Sequence, residues 1–148
     1  AQFRGKYHVF YQWLPDVVPQ GSKQWRHCIS NDLVHWTDEG SALQPDEWYE
    51  KMVVYSGSGI TTEDKYFLFY TGNVRDAEGG ERKHINVLLY LTMGSLFQKE
   101  GPVIYLPDGY TAHFRDPKVW KKNNSWWMVV GAQTKELQGN VALLSRIT

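Results

Sequence analysis

The stretch HFRDPKVW, residues 113–120, sets Arg115 and Asp116 side by side between aromatic and apolar neighbours. Strands usually avoid Asp, and the proline that follows removes a backbone donor. An arginine next to a carboxylate favours its ionised form. The planar guanidinium fork and the carboxylate together present donors and acceptors at fixed angles, an arrangement suited to sugar hydroxyls. A lone Asp at the start of a strand is more often a turn or capping residue. The chemical reading therefore depends on where the fold puts Asp116.

Other residue types narrow the options. Seven Trp and nine Tyr in 148 residues is a heavy aromatic load, and aromatic faces stack on the C–H faces of sugars. Trp36, Trp120, Trp126 and Trp127 nonetheless read first as packing between sheets, while Trp13, beside Gln12, is open to either role. His8, His27, His35, His84 and His113 do not fall at zinc-ligand spacings and have no Cys partners, so neither a metal nor a cofactor is expected. His27 and His113 lie beside motif positions and read as structural. Ser56 and Ser58 in YSGSG lack a nearby His and Asp, which leaves a hydrolase triad unsupported. The glycines of EGGERK precede no helix pattern and form no phosphate cradle.

Sixteen basic and sixteen acidic residues give zero formal net charge, against an electrostatic nucleic-acid binder. No apolar run approaches the roughly 18 residues of a membrane span, and no signal-peptide pattern is present. Cys28 is alone, so no intrachain disulfide framework is possible, and it reads as a small buried residue.

The elements that must position these residues are strands. No window sustains helical periodicity, and short β-branched and aromatic runs alternate with polar turns. The expected strands are Lys6–Leu14, Trp25–Ser30, Val53–Thr61, Lys65–Val74, His84–Met93, Pro117–Lys121, Ser125–Gln133 and Val141–Arg146. TTEDK and KKNNS read as tight turns.

A repeat organises them. GKYHVFYQ (5–12), DKYFLFYT (64–71) and NSWWMVVG (124–131) fall in one register, headed by Lys6, Lys65 and Ser125, which are 59 and 60 residues apart. A period near that length, with about four strands per unit, suggests β-propeller blades. The units would be residues 1–50, 51–107 and 108–148, the first and last incomplete. A β-sandwich with coincidentally similar hairpins is the alternative. Nine residues before each heading position lie Ser56 in the second copy and Asp116 in the third. In the first copy that site falls before residue 1. Because inner propeller strands line the central channel, Ser56 and Asp116 are expected on a common axial pocket.

Both ends look cut, since the chain opens almost directly on a strand and stops on an apolar alternation. A piece of a longer protein is expected, with open sheet edges that favour a homo-oligomer.

GKYHVFYQ, WRHCISNDLVHW, LQPDE, YSGSG, LFYTGN and above all GYTAHFRDPKVW resemble glycoside hydrolase family 32, from residue 3 to about residue 133. The resemblance implies an all-β fold, part of a five-bladed β-propeller. It also implies retaining hydrolysis of β-fructofuranosides such as sucrose, sucrose 6-phosphate or fructans, with a small carbohydrate as the partner. Asp116 would be the transition-state stabiliser and Arg115 its neighbouring substrate contact. Gln12, Tyr55 and Ser56 would line the fructosyl site. The family's nucleophilic Asp, in a Trp–Met–Asn–Asp–Pro–Asn–Gly motif, would lie just before Ala1, and its acid/base Glu beyond Thr148. The 148 residues alone are thus expected to be inactive. Gln20 stands where many members have a pocket Trp. Arg26 replaces a Gly and offers a contact for a charged substrate group. The resemblance leaves the compartment open, with a bacterial cytoplasmic setting preferred. Two rivals remain: a related five-bladed arabinosidase or xylosidase, and a non-catalytic propeller that binds carbohydrate or protein.

Overall fold

The computed structural model describes residues 1–15, 23–75, 77–91 and 96–147. Among these residues every element is a β-strand, and each sheet is an antiparallel meander. Sheet one holds β1 (Gln2–Phe3), β2 (Lys6–Trp13), β3 (Gln24–Ser30) and β4 (Thr37–Leu43) in that order. Sheet two holds β5 (Val53–Thr61), β6 (Tyr66–Arg75), β7 (Glu81–Leu91) and β8 (Leu96–Ile104). Sheet three holds β9 (Tyr110–Lys122), β10 (Ser125–Thr134) and β11 (Gly139–Ile147). The third sheet shows three strands among the described residues.

Three separate meanders packed side by side follow the blade pattern and not the sandwich. Their alternation follows the sequence closely. In β6 the residues Tyr66, Leu68 and Tyr70 are buried on one face, packing with Phe3, Trp25, Leu43 and Val54 to close the seam between sheets one and two. The opposite face of β6 sends Phe69 into a second cluster, where Phe114, Val119, Met128 and Val130 close the seam between sheets two and three. The sheet faces turned away from these seams expose Val9, Tyr11, Val141 and Leu143.

The turns are built from the expected residues. In TTEDK, the Thr62 N–H donates to the Lys65 carbonyl at 2.8 Å, and the Lys65 N–H donates back to Thr62 Oγ1 at 3.2 Å. In KKNNS, Asn123 adopts φ 55, the left-handed conformation that Asn tolerates well. Three strands, β1, β4 and β8, are absent from the sequence expectation. The expected strand ending at Met93 corresponds to β7, although Met93 itself lies outside the described residues. The strand expected to begin at Pro117 begins at Tyr110, so the Arg–Asp–Pro step sits in mid-strand and not at its start.

Candidate active site

Asp116 is placed by an irregularity in β9. Arg115 pairs with Gly131 of β10 and Lys118 with Val129, so Asp116 and Pro117 together oppose the single residue Val130. This is a β-bulge, in which an extra residue loses its ladder partner and re-aims a side chain. Asp116 takes φ 60, a left-handed conformation rare outside glycine, and it does so immediately before a proline. Its N–H donates across the seam to Thr71 Oγ1 of β6 at 3.1 Å. Three residues on, the Val119 N–H donates to Ser58 Oγ of β5 at 3.2 Å. Two hydroxyls of sheet two thus receive backbone donors of β9 on either side of the bulge.

The carboxylate faces outward. Arg115 Nε lies 3.8 Å from Asp116 Oδ2, and the two side chains are 46% and 56% exposed. Both border an open cavity of about 660 Å³ bounded by β10 and β11, with His113, Gln133 and Asn140 in its wall. A carboxylate, a guanidinium, an amide and an imidazole around one concavity give the donors and acceptors that a polyhydroxylated ligand requires.

Gln12 and Ser56 come together at another cavity, of about 340 Å³, formed where β2 and β3 approach β5. Trp25 lines it as well. That side chain is 5% exposed, and its indole N–H finds no hydrogen-bond partner among the described residues. Asp116 and Ser56 therefore border separate cavities here, where the repeat put them on a common one: the first opens toward β10 and β11, the second toward β2 and β3. Tyr55 lines neither of these two cavities, and Lys23 Nζ sits 5.8 Å from its ring centroid.

β5 carries a bulge one rung from the level of the β9 bulge. Val54 pairs with Gly72 and Gly57 with Tyr70, so Tyr55 and Ser56 oppose Thr71. Pairs on either side of the bulges stay in the same register, Val54–Gly72 with Phe114–Ala132 and Ser58–Phe69 with Lys118–Val129, so Asp116 corresponds to Ser56. Gly57 is required where this bulge closes, because a Cβ there would lie 1.8 Å from the Phe69 carbonyl oxygen.

Several residues that sequence reading weighed settle into structural roles. His8 Nδ1 and His27 Nε2 are 2.8 Å apart, one donating to the other, in the seam between sheets one and two. Burial, together with His8 alongside, pulls His27 down to about 4, and burial also lowers His8. Arg26, considered for a charged substrate group, is paired with Asp38 and lies 4.6 Å from the Trp13 ring centroid. His113 borders the cavity at Asp116. Gln20 lies outside the described residues.

Other groups escaped the sequence. Thr71 and Asn73 are buried on the β6 face toward β9, at 0% and 1% exposure, and the Asn73 Oδ1 has no hydrogen-bond partner among the described residues. Glu50 is fully buried, accepts from the Tyr70 hydroxyl at 2.5 Å and is paired with Lys99 of β8. Burial raises the Glu50 carboxyl, while Lys99 and Tyr70 oppose that rise. Lys99 also reaches Asp46 and the Gln44 carbonyl. Nothing in LFYTGN or in DEWYE announces these pairings, because each partner lies tens of residues away.

Residues 1–146 match the family model described as the glycosyl hydrolases family 32 N-terminal domain. The chain is 48% identical over 143 residues to a sucrose-6-phosphate hydrolase of Bacillus subtilis, covering 97% of this chain and 30% of that protein. It is 46% identical over 144 residues to a sucrose-6-phosphate hydrolase of Salmonella typhimurium, covering 97% and 31%. Among solved structures, a sucrose-6-phosphate hydrolase from Lactobacillus gasseri superposes with a TM-score of 0.89 at 32% identity, covering 96% of this chain and 29% of that one. A Bombyx mori GH32 beta-fructofuranosidase superposes with a TM-score of 0.82 at 36% identity, covering 98% and 31%. The chain thus spans about three-tenths of the length of the curated relatives it matches.

Proposed function

The chain belongs to glycosyl hydrolase family 32, and from that membership we propose that the complete protein is a retaining β-fructofuranosidase acting on sucrose 6-phosphate. In this reading the present residues grip the fructosyl unit. The substrate assignment is supported by the names of the bacterial relatives at 48% and 46% identity.

Gln12, Tyr55 and Ser56 contact the sugar, and Arg115 and Asp116 bind its hydroxyls. As the glycosidic C–O bond lengthens, positive charge develops on the anomeric carbon and the ring oxygen. The Asp116 carboxylate accepts hydrogen bonds from fructosyl hydroxyls, and its negative charge favours this state over the ground state. Arg115, beside the carboxylate, donates to the substrate. The attacking carboxylate and the proton-donating acid belong to family motifs that these 148 residues do not contain.

One observation carries the reading: a non-glycine residue held at φ 60 before a proline, with its carboxylate half exposed at a cavity and an arginine 3.8 Å away. Backbone strain of this kind costs on the order of 1–3 kcal/mol and persists where function needs the geometry. The test is Asp116→Asn in the complete protein. Turnover of sucrose 6-phosphate should fall about a thousandfold or more, equivalent to about 4 kcal/mol of transition-state stabilisation, with the circular dichroism spectrum unchanged. A variant that keeps the parental rate would remove Asp116 from the mechanism.

A further inference from the structure

We infer that Thr71 is a positioning residue for Asp116, acting through the hydrogen bond its side chain accepts across the seam between sheets two and three. The inference rests on the role proposed above for Asp116.

Thr71 sits on β6, directly opposite the β5 bulge, and is fully buried. Its Oγ1 receives the Asp116 N–H at 3.1 Å from a residue 45 positions away. The β9 bulge is what makes this acceptor necessary. With Asp116 and Pro117 both opposing Val130, the extra residue has no place in the ladder. Pro117 carries no N–H of its own, so the Asp116 N–H is the one donor of the bulge pair. A backbone donor left without an acceptor in the seam would be destabilising.

The conformation depends on the same contact. A residue preceding proline prefers the extended region, and only glycine takes a left-handed conformation without cost. Asp116 nevertheless holds φ 60. By accepting the Asp116 N–H, Thr71 Oγ1 fixes the plane of the Arg115–Asp116 peptide, from which the left-handed turn at Asp116 starts. Loss of that oxygen removes the acceptor that favours the left-handed conformation, and the carboxylate moves with the backbone. The second seam bond, from the Val119 N–H to Ser58 Oγ at 3.2 Å, secures the strand beyond the bulge but not the Asp116 residue itself. Thr71 is not among the residues that wall the Arg115–Asp116 cavity and touches no substrate in this reading, so its effect runs through Asp116.

The test is a double-mutant cycle in the complete protein with sucrose 6-phosphate, using Thr71→Val, Thr71→Ser, Asp116→Asn and the Thr71→Val/Asp116→Asn pair. Valine keeps the shape of threonine and removes the hydroxyl; serine keeps the hydroxyl. Thr71→Val should lower kcat about tenfold to a hundredfold, the scale of a misplacement near 1 Å, with KM within about threefold. Thr71→Ser should stay within about threefold of the parent. In the Asp116→Asn background Thr71→Val should cost nothing further, since coupled residues are not additive. An unchanged kcat in Thr71→Val overturns the inference, and so does an equal fold-loss in both backgrounds, which is what a purely structural role would produce. Should Thr71→Val not fold, Thr71→Ala carries the same expectation and the same refutation. An Asp116→Asn variant with parental turnover is a different failure: it removes the reading of Asp116 first, and the role of Thr71 falls with it.

Discussion

Between sheets one and two the packing is aromatic, with Phe3, Phe10, Trp25, Tyr66 and Tyr70 gathered around the neutral pair His8 and His27. Between sheets two and three the buried core is more aliphatic, with Phe114, Val119, Met128 and Val130. There the backbone of β9 is tied to Thr71 and Ser58 by single hydrogen bonds. The first seam encloses its two histidines and gives them to one another. The second holds a strained bulge whose carboxylate is left facing an open cavity. The difference teaches that the two seams treat polar groups differently: the first buries a histidine pair, and the second leaves a carboxylate at an open cavity. Changes at the buried groups of the first should move the unfolding free energy, and changes at Asp116 should move turnover.

The largest expected effect on stability belongs to the buried acid beside the first seam. Glu50 is 0% exposed, and Lys99 is the cation that pairs with it. Breaking a buried pair by removing one member leaves an uncompensated charge and costs about 3–5 kcal/mol. Lys99→Met should therefore lower the urea midpoint strongly, without changing KM for the sugar. A loss below about 1 kcal/mol would mean that the pair contributes little, since exposed ion pairs are worth that much. The contrast between the seams would then lose its best-defined stabilising contact.

The histidine pair gives a smaller effect with a definite sign. The unfolded chain titrates His27 near 6.5, and the folded chain near 4. Between these values the unfolded state binds more protons, so stability rises with pH across the window. His27 contributes fully above pH 6.5 and its contribution disappears as pH falls through about 4. The cost of acidification from this group is on the order of 3 kcal/mol. Stability measured by urea unfolding at successive pH values should fall over that range. In His27→Leu the fall should be shallower, with the remainder due to His8, whose ionisation burial also suppresses. A fall of equal steepness in His27→Leu would assign the acid sensitivity elsewhere.

How much of this was legible in the sequence depended on how far apart the interacting residues lie. β2, β3, β5, β6 and β10 were visible because one face packs in a seam and the alternation records it. β4 was not: TDEGSAL is a largely exposed strand whose burial begins only at Ala42 and Leu43. β8 was hidden by a Gly–Pro step at 101–102, where Gly101 takes φ 83. The site was half legible. RDP drew attention to Asp116 because a charged pair before a proline is out of place in a strand, and the family resemblance named a role for it. The conformation that puts Asp116 to use was invisible, since it is set by a bulge and by Thr71 across a seam. The equal spacing of the repeat survives both bulges, because each inner strand gains one residue and the registers on either side still correspond.

The smallest effect tests the two bulges against each other. Tyr55–Ser56 and Asp116–Pro117 interrupt inner strands one rung apart, yet neither Tyr55 nor Ser56 is left-handed, and only Asp116 brings a charge. If the β5 bulge serves mainly to present a hydroxyl beside Gln12, Ser56→Ala removes one neutral hydrogen bond to the sugar. That is worth about 0.5–1.5 kcal/mol, so kcat/KM should fall about twofold to tenfold, chiefly through KM. Ground-state binding is lost and transition-state charge stabilisation is retained, because the latter rests on a carboxylate that Ser56 does not hold. A drop in kcat as large as that of Asp116→Asn would show that the two bulges carry equal shares of the chemistry. The repeat itself, and not the departure from it at Asp116, would then be the source of activity.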